Sequence, residues 1–381
     1  MTAFAVGMIP IGLAIGGAVD FATVIKHRQQ MQAQTDAAAI AAALALDGDK
    51  TTIAQAFFTN TATPSTVTAV ANGDLVTVTA TSTVKTPFLS IAGTQSMAAT
   101  TKSVAARLRS GPPACLLALN KTVSGAITFS GSSLTVAKGC SIYSNSNSDS
   151  AISVAGSASV TADGFCSVGG FSGPADMNPK PFTHCYPAKD PFAAVATATS
   201  GGCSYNNLTV QPNKSKALSP GTYCGGLDIK GDATLDPGVY IIKDGGLAIS
   251  SQSNVTGNGV TFVLTGKSAG FTINGGANID LKATTSGSYA GILIFQDRAS
   301  NAGAGNTLNG NSSTKLAGAI YTPTQTVTIN GSGTFGQTNT YMPIIADQIK
   351  LTGNATAQAD VTKMTSVAEI AKIGTSAMLL Q

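Results

Sequence analysis

The chain has 381 residues, of which 10% are charged, and a formal net charge of +4. Ordinary soluble domains carry about 25% charged residues, and here no run of Lys and Arg is interleaved with aromatic residues. A nucleic-acid surface is therefore excluded, and nucleic acid is not expected as a partner. The 42 glycines and the single glutamate, Glu369, indicate a body of strands and turns rather than helices.

An apolar segment from Thr2 to Ile25 opens the chain, with Asp20 as its only charged residue. About 20 apolar residues suffice to cross a bilayer. A polar, Ala-rich helical pattern follows without a turn and stops before Gly48, a typical residue just beyond a helix. We therefore expect residues 1–47 to form a transmembrane and extended α-helix about 69 Å long. A cleaved signal peptide is the alternative, but no basic residue precedes the apolar part.

Small residues recur on one side of this helix, at Gly12, Gly16 and Gly17. This spacing is typical of close helix packing in lipid. Asp20 is an ionisable group within an apolar helix, which is by default a functional hypothesis. The alternative is a hydrated carboxylate at the membrane interface, close to Lys26 or Thr23.

Two features of the sequence predict opposite orientations of the chain in the membrane. Lys26 and Arg28 follow the apolar segment and no basic residue precedes it, so the positive-inside rule places the body in the cytoplasm. Clustered cysteines indicate an oxidising compartment instead. We give the cysteines more weight and expect a single-pass protein of the inner membrane, with its body in the periplasm or outside the cell. On this interpretation a short basic leader lies upstream of the present first residue.

All six cysteines lie in one window, the cysteine-stapled region 115–224: Cys115, Cys140, Cys166, Cys185, Cys203 and Cys224. No two form a CxxC pair, so zinc is not expected. Their number predicts up to three disulfides, and sequence alone does not choose among the possible pairings. Cys166 and Cys185 flank a Pro-rich excursion and are the first candidate pair. Free buried thiols in a reducing cytosol are the alternative.

Residues 48–110 are predicted to form a small α+β module. The sequence Asn72-Gly73 lies between two segments that alternate apolar and polar residues, which is a strong hairpin pattern. The predicted elements, in chain order, are a short helix, two strands, a turn with a short helix and a last strand, at 52–59, 66–70, 75–83, 87–91 and 97–108.

Residues 111–381 contain a recurring pattern of Gly, apolar, any residue, apolar. Its members form two interleaved series with a period of about 21 residues, at Gly226, Gly238, Gly246, Gly259, Gly270 and Gly291. This predicts a parallel β-solenoid, a mainly β fold built of stacked coils. A β-sandwich is the alternative, because its strands also recur every 8–12 residues or so. Residues 346–357 are predicted as the last coil and 367–380 as a capping helix.

The sequence offers no catalytic, cofactor or metal site. The best candidate acids have turn spacing and are interpreted as solvated: Asp228, Asp232, Asp236 and Asp244. The two histidines, His27 and His184, lie in no nucleophile or metal motif. We therefore expect a protein that is not an enzyme. An anchored or secreted glycan-active β-helix enzyme and a surface adhesin are the alternatives.

The N-terminal residues resemble a known family. An apolar helix, then Val19-Asp20, a basic residue, Met31-Gln32 and the run Asp36-Ala37-Ala38-Ala39 is similar to the N-terminal module of TadE/TadG-like Flp pilus assembly proteins, TadG type. The resemblance implies a pilin-like head and a pseudopilin-like structural role in the tight-adherence system. Its partners would be the membrane and other Tad pilus subunits. Together with the glycine spacing, this gives the candidate residues for helix packing and assembly: Gly12, Gly16, Gly17, Asp20, Gln32, Asp36, Ala37 and Ala38.

Overall fold

The computed structural model describes residues 2–45, 49–59, 65–72, 75–108, 113–174, 179, 181–185, 187–300, 305–310, 314–331, 334–335, 342–354, 356–360 and 376–380. The chain divides into two compact units. The N-terminal unit comprises Met1–Ser110 and Gly374–Gln381, and the solenoid unit comprises Gly111–Ile373.

The N-terminal unit begins with helices α1 (Thr2–Leu44) and α2 (Lys50–Gln55) and a 3₁₀ turn, Ala56–Phe58. Its first strands are β1 (Ser65–Asn72), β2 (Leu75–Lys85) and β3 (Ser96–Leu108), with a second 3₁₀ turn, Leu89–Ala92, between the last two. The predicted short helix, hairpin and last strand are confirmed. The central turn residues 73–74 and the expected helix end at 46–47 lie outside the described residues.

The remaining strands are, in chain order, β4 (Ala114–Ala118), β5 (Ile127–Phe129), β6 (Leu134–Ser144), β7 (Ile152–Val154), β8 (Ser159–Ser167), β9 (Phe171–Ser172), β10 (Tyr205–Val210), β11 (Ser215–Leu218), β12 (Gly221–Ile229), β13 (Asp232–Leu235), β14 (Gly238–Lys243), β15 (Leu247–Ile249), β16 (Asn254–Asn258), β17 (Val260–Thr265), β18 (Phe271–Ile273), β19 (Asn278–Lys282), β20 (Ile292–Gln296), β21 (Asn306–Gly310), β22 (Thr314–Ala317), β23 (Ala319–Gly331), β24 (Thr334–Phe335), β25 (Ile344–Leu351), β26 (Thr356–Asp360) and β27 (Ser376–Leu380).

The last strand of the chain belongs to the N-terminal unit. β1, β2, β3 and β27 form one antiparallel sheet in that order, and Ser376 to Leu380 pair with Leu108 to Val104. The predicted capping helix at 367–380 is therefore wrong for 376–380, while 361–375 lie outside the described residues. The free edge of β3 offers a row of backbone groups that a strand satisfies and a helix does not.

One side of α1 packs on this sheet. Its buried residues recur at helical spacing, with steps of three, four and once seven positions, at Asp20, Val24, Met31, Thr35, Ala38 and Ala42. On β2 the alternate residues Val76, Val78 and Ala80 are buried, as the hairpin pattern predicts. Small alanines on the packing side let the helix approach the strands closely. Residues Ala33, Ala37, Ile40 and Leu44, which also recur at helical spacing, lie on a different side of α1 and are exposed or half-buried.

The solenoid unit consists of three ladders of parallel strands. The first runs β10, β12, β14, β17, β20, β23, β25, β4, β6, β8. The second runs β10, β12, β15, β18, β21, β23, β25, β5, β7, β9. The third runs β11, β13, β16, β19, β22, β24, β26, β6, β8. The predicted solenoid is confirmed, since a β-sandwich does not pair successive strands in this way.

The coils do not stack in sequence order. Ile344 and Ile349 of β25 pair with Leu116 of β4 and Ile127 of β5, so the last coil of the chain lies against the first. The segment predicted as the terminal coil is thus internal to the stack. The chain enters and leaves the solenoid at adjacent coils, and the two ends of the stack are made by β10–β11 and β8–β9.

A strap, residues 185–203, returns the chain from one end of the stack to the other along the outside of the first ladder. From β8 to β12 that ladder has eight strand-to-strand steps, which is roughly 38 Å at 4.8 Å each. The strap buries Phe192 against Tyr321, and Tyr321 donates a hydrogen bond of 2.6 Å to Asp190. This second core explains why β17 and β20 are apolar on both sides.

Disulfides tie both ends of the strap. Cys166–Cys185 holds its start and Cys203–Cys224 its end, with Cα atoms 6.0 and 5.6 Å apart. The third disulfide, Cys115–Cys140, joins two neighbouring coils. The candidate pair Cys166–Cys185 is confirmed. Two of the three disulfides hold the strap, and the third joins coils.

Candidate functional site

The exposed side of α1 is apolar over its described N-terminal part. Between residues 14 and 25 every exposed side chain is apolar except Thr23, whose hydroxyl donates to the carbonyl oxygen of Val19 at 2.9 Å. The larger members are Ile15, Val19, Phe21 and Ile25, which are 42–63% exposed. At 100° per residue they form one continuous arc opposite Asp20. We call this arc the apolar face of α1.

The apolar face ends abruptly at Lys26. The next exposed residues are Lys26, Arg28, Gln29 and Gln30, all polar and two of them basic. The opposite side stays packed on the sheet across this boundary, where His27 Nε2 lies 2.6 Å from Ser82 Oγ. The exposed side chains of α1 therefore change from apolar to polar at Lys26, while the opposite side remains packed on the sheet.

Asp20 holds a loop of its own unit. Its carboxylate is 3% exposed, and Oδ2 accepts hydrogen bonds from the backbone N–H groups of Phe88 and Leu89 at 2.8 and 2.7 Å. These donors open the 3₁₀ turn Leu89–Ala92, where a carboxylate is favourable. The hydrated carboxylate expected as the alternative is wrong, because Asp20 is buried and its described partners are the amides of this loop.

Two of the predicted packing glycines lie beside the same loop. A Cβ atom at Gly16 would come within 2.7 Å of the Phe88 ring, and one at Gly17 would come within 3.2 Å of Leu89 Cδ2. Gly16 therefore permits close contact between α1 and the loop that contains Phe88. The spacing of glycines in the sequence did not distinguish this contact from packing against another helix. Gly12 lies outside the residues whose surroundings are described.

The other packing residues divide between the two sides of α1. Gln32 donates to Asp36 at 2.8 Å and to Ser103 Oγ at 2.9 Å, and Ser103 donates to Asp36. Ala38 is fully buried against the sheet, whereas Ala37 is exposed. Gln32, Asp36 and Ala38 thus join α1 to β3, and Ala37 is free to meet another surface.

The candidate acids of the solenoid are not brought together. Asp228 pairs with Lys230 at 3.1 Å, and Asp232 accepts from Asn254 Nδ2 at 2.8 Å. Asp236 accepts from Ser219, and Asp244 from the backbone N–H of Lys267. Asp228 thus pairs within its own coil, and the other three carboxylates each accept a hydrogen bond from a neighbouring coil.

A groove of about 460 Å³ lies along the second ladder. Asp228 is the only carboxylate among its described lining residues, and Asn207, Thr209 and Thr272 supply further polar atoms. Glycoside hydrolysis ordinarily requires a pair of carboxylates. The groove offers hydrogen bonds to a polar ligand but not that pair.

Residues 1–45 match the family model described as putative Flp pilus-assembly TadE/G-like. The N-terminal resemblance to the TadE/G-like family is confirmed. Residues 191–362 match a second model, a domain of unknown function (DUF7305), which covers most coils of the solenoid but not β4 to β9. No curated protein and no solved structure matches the chain.

The TadE/G-like segment coincides with α1 and contains the apolar face. Among the residues that the structure describes, none of the helices combines the length and the hydropathy needed to cross a membrane, so the predicted span was not found. Sequence reasoning also missed the loop held by Asp20. Its pattern was available in the sequence, because residues 86–95 contain no charged residue and do contain Phe88 and Ile91.

Proposed function

We propose that this protein is a membrane-attached structural component of the Flp pilus assembly system. The observation that carries the proposal is the apolar face of α1, which gives way to basic and polar residues at Lys26. An exposed apolar surface of this kind marks contact with a membrane or a protein. Here it lies within the segment that matches the TadE/G-like family model. The proposed role is structural and not catalytic.

In this proposal α1 attaches the chain to the inner membrane, and both units stand in the periplasm. The three disulfides support an oxidising compartment. Other Tad subunits with similar apolar helices are the proposed partners, in keeping with the family match. The TadG-type assignment and the pseudopilin-like role remain part of the proposal.

The test is a matched pair of charge substitutions on α1 in a strain that makes Flp pili. Val19→Asp places a carboxylate in the apolar face, and Ala33→Asp places one on the exposed polar part of the same helix. We expect Val19→Asp to leave the membrane fraction and to abolish pili, since a buried unpaired charge is costly. Ala33→Asp should behave as wild type.

Two outcomes would contradict the proposal. In the first, a strain lacking the protein assembles pili normally. In the second, the Val19→Asp and Ala33→Asp variants are retained in the membrane fraction equally and make equal amounts of pili. A periplasm-dependent reporter fused after Gln381 checks the compartment separately. Activity of that reporter supports export of the body. A reporter that stays inactive in the cytoplasm would contradict both the periplasmic placement and the formation of the disulfides.

A further inference from the structure

We propose that the loop of residues 86–95 is a second membrane contact, a foot that rests on the bilayer surface beside α1. This inference rests on the proposed function, because it takes the apolar face of α1 to lie in lipid. It concerns a segment outside the TadE/G-like match. The occupant proposed for the foot is the phospholipid bilayer itself.

The first argument is the position of the foot along the axis of α1. The foot is fixed at the level of Gly16 and Asp20, where Phe88 lies against Gly16 and the loop amides donate to the Asp20 carboxylate. Lys26, where the exposed side turns polar, is six residues further along α1, or about 9 Å from Asp20. If the apolar face enters lipid as far as Ile25, the foot lies about 9 Å on the lipid side of that boundary, at the depth where headgroups meet acyl chains.

The second argument is chemistry. Residues 86–95 carry no charge, and their largest apolar side chains point outward, with Ile91 74% and Phe88 47% exposed. An isoleucine at that exposure on a loop tip leaves apolar area in water that burial would stabilise. Aromatic and aliphatic groups of this size are typical anchors at the boundary of headgroups and acyl chains.

The third argument is the polar boundary of the foot. Lys85 is exposed immediately before the loop, on the side away from its tip, where an ammonium group can reach lipid phosphates. Inside the foot the polar backbone is satisfied locally: Thr86 donates its hydroxyl to the carbonyl of Thr94 at 2.6 Å and its N–H to Gln95 at 3.1 Å. The tip therefore approaches lipid without leaving these groups unpaired.

Asp20 has a specific part in this arrangement. It is the one carboxylate at the level of the foot on α1, and it faces the loop and not the apolar face. Its negative charge is thus enclosed between helix and loop, away from the lipid side. The same hydrogen bonds that enclose it hold the foot at a fixed height.

The absence of tryptophan from the whole sequence makes the test direct. Ile91→Trp introduces a single fluorescent side chain at the exposed tip of the foot, and Phe88→Trp introduces one beside Gly16. Phe57→Trp is the matched control, since Phe57 is 41% exposed in the other 3₁₀ turn of the same unit. The full chain is reconstituted into vesicles of phosphatidylethanolamine and phosphatidylglycerol, with and without brominated acyl chains.

We expect both foot tryptophans to emit further to the blue in vesicles and to be quenched by brominated lipid at least about twofold more than the control. Aqueous acrylamide should quench the control more than the foot. If the protein is retained on vesicles while Ile91→Trp and Phe88→Trp are quenched no more than Phe57→Trp, the foot is overturned and membrane attachment stands. If the protein does not stay with the vesicles at all, both the foot and the membrane attachment fail.

Discussion

In the N-terminal unit a single sheet covers one side of α1, and the opposite side is left as an apolar face. In the solenoid unit almost every coil lies between two others, and a disulfide-tied strap covers the outer apolar strip of the first ladder. The solenoid unit thus buries its core within itself, including a column of aromatic rings at Tyr223, Tyr240 and Phe262, with the half-buried Tyr205 stacked on its end. The N-terminal unit leaves the apolar face of α1 exposed.

The same contrast appears in the chemistry of the two units. Every cysteine and every tyrosine of the chain lies between residues 111 and 373. Reduction of disulfides and ionisation of buried tyrosines should therefore act on the solenoid unit and leave the N-terminal unit unchanged. Substitutions at Gly16 and Asp20 should do the reverse.

The largest effect should come from the disulfides that tie the strap. The double variant Cys166→Ser/Cys185→Ser should lower the free energy of unfolding of the solenoid unit by about 2–4 kcal/mol, since it frees a closed loop in the unfolded chain. Hydrogen exchange read by mass spectrometry separates the two units. Faster exchange confined to the strap and the first ladder is expected. Equal acceleration in α1 and β1–β3 would show that the units do not behave independently.

The next effect is steric and belongs to the N-terminal unit. Gly16→Leu forces a side chain into the Phe88 ring and should destabilise this unit by about 1–3 kcal/mol. Ala18→Leu places the same side chain on the exposed side of α1 and should change stability by less than about 0.5 kcal/mol. Thermal unfolding in detergent compares the pair. Similar melting temperatures would mean that Gly16 is not a packing position.

Asp20 tests the hydrogen bonds that hold the foot. Asp20→Ala leaves two part-buried backbone donors without their acceptor and should cost about 1–3 kcal/mol. Asp20→Asn keeps an acceptor oxygen and should cost less. Exchange of the Phe88 and Leu89 amides is the direct measurement. If the Asp20→Asn and Asp20→Ala variants exchange these amide protons equally fast, the Asp20 side chain does not stabilise the loop by accepting these hydrogen bonds.

The smallest effect should be alkaline loss of stability in the solenoid unit. Burial raises the pKa of four tyrosine hydroxyls above the ordinary value of 10.0, at Tyr223, Tyr240, Tyr289 and Tyr321. The unfolded chain therefore releases protons above about pH 10 that the folded chain keeps, and the free energy of unfolding falls as pH rises further.

Tyr321→Phe removes one of these groups and should make the fall shallower. Equilibrium unfolding followed at several pH values between neutrality and the alkaline limit measures the slope. At neutral pH the variant loses the hydrogen bond to Asp190, so its stability there should be lower, by about 1 kcal/mol. A slope unchanged by the substitution would contradict the assignment to Tyr321.

Much of the fold follows from local pattern. The Asn72-Gly73 hairpin, the long helix and the Gly-apolar-x-apolar repeat each depend on nearest neighbours in the chain, and each is observed. The candidate site was found only in part. Asp20 and Gly16 were singled out from the sequence, but their partner, the loop at 88–89, is 68 residues away from Asp20. Sequence periodicity within one helix contains no information on such a distant contact.

By itself the sequence determined the mainly β body, the period of its coils and the apolar start of α1, because these depend on residue type and spacing along the chain. It also indicated the pair Cys166–Cys185, whose two members flank a single excursion. Only the tertiary structure decided the order of the coils, the return of β27 to β3 and the enclosure of Asp20. Each of these depends on which free strand edge or buried donor a distant segment satisfies, and that choice is made by the packing of the whole unit.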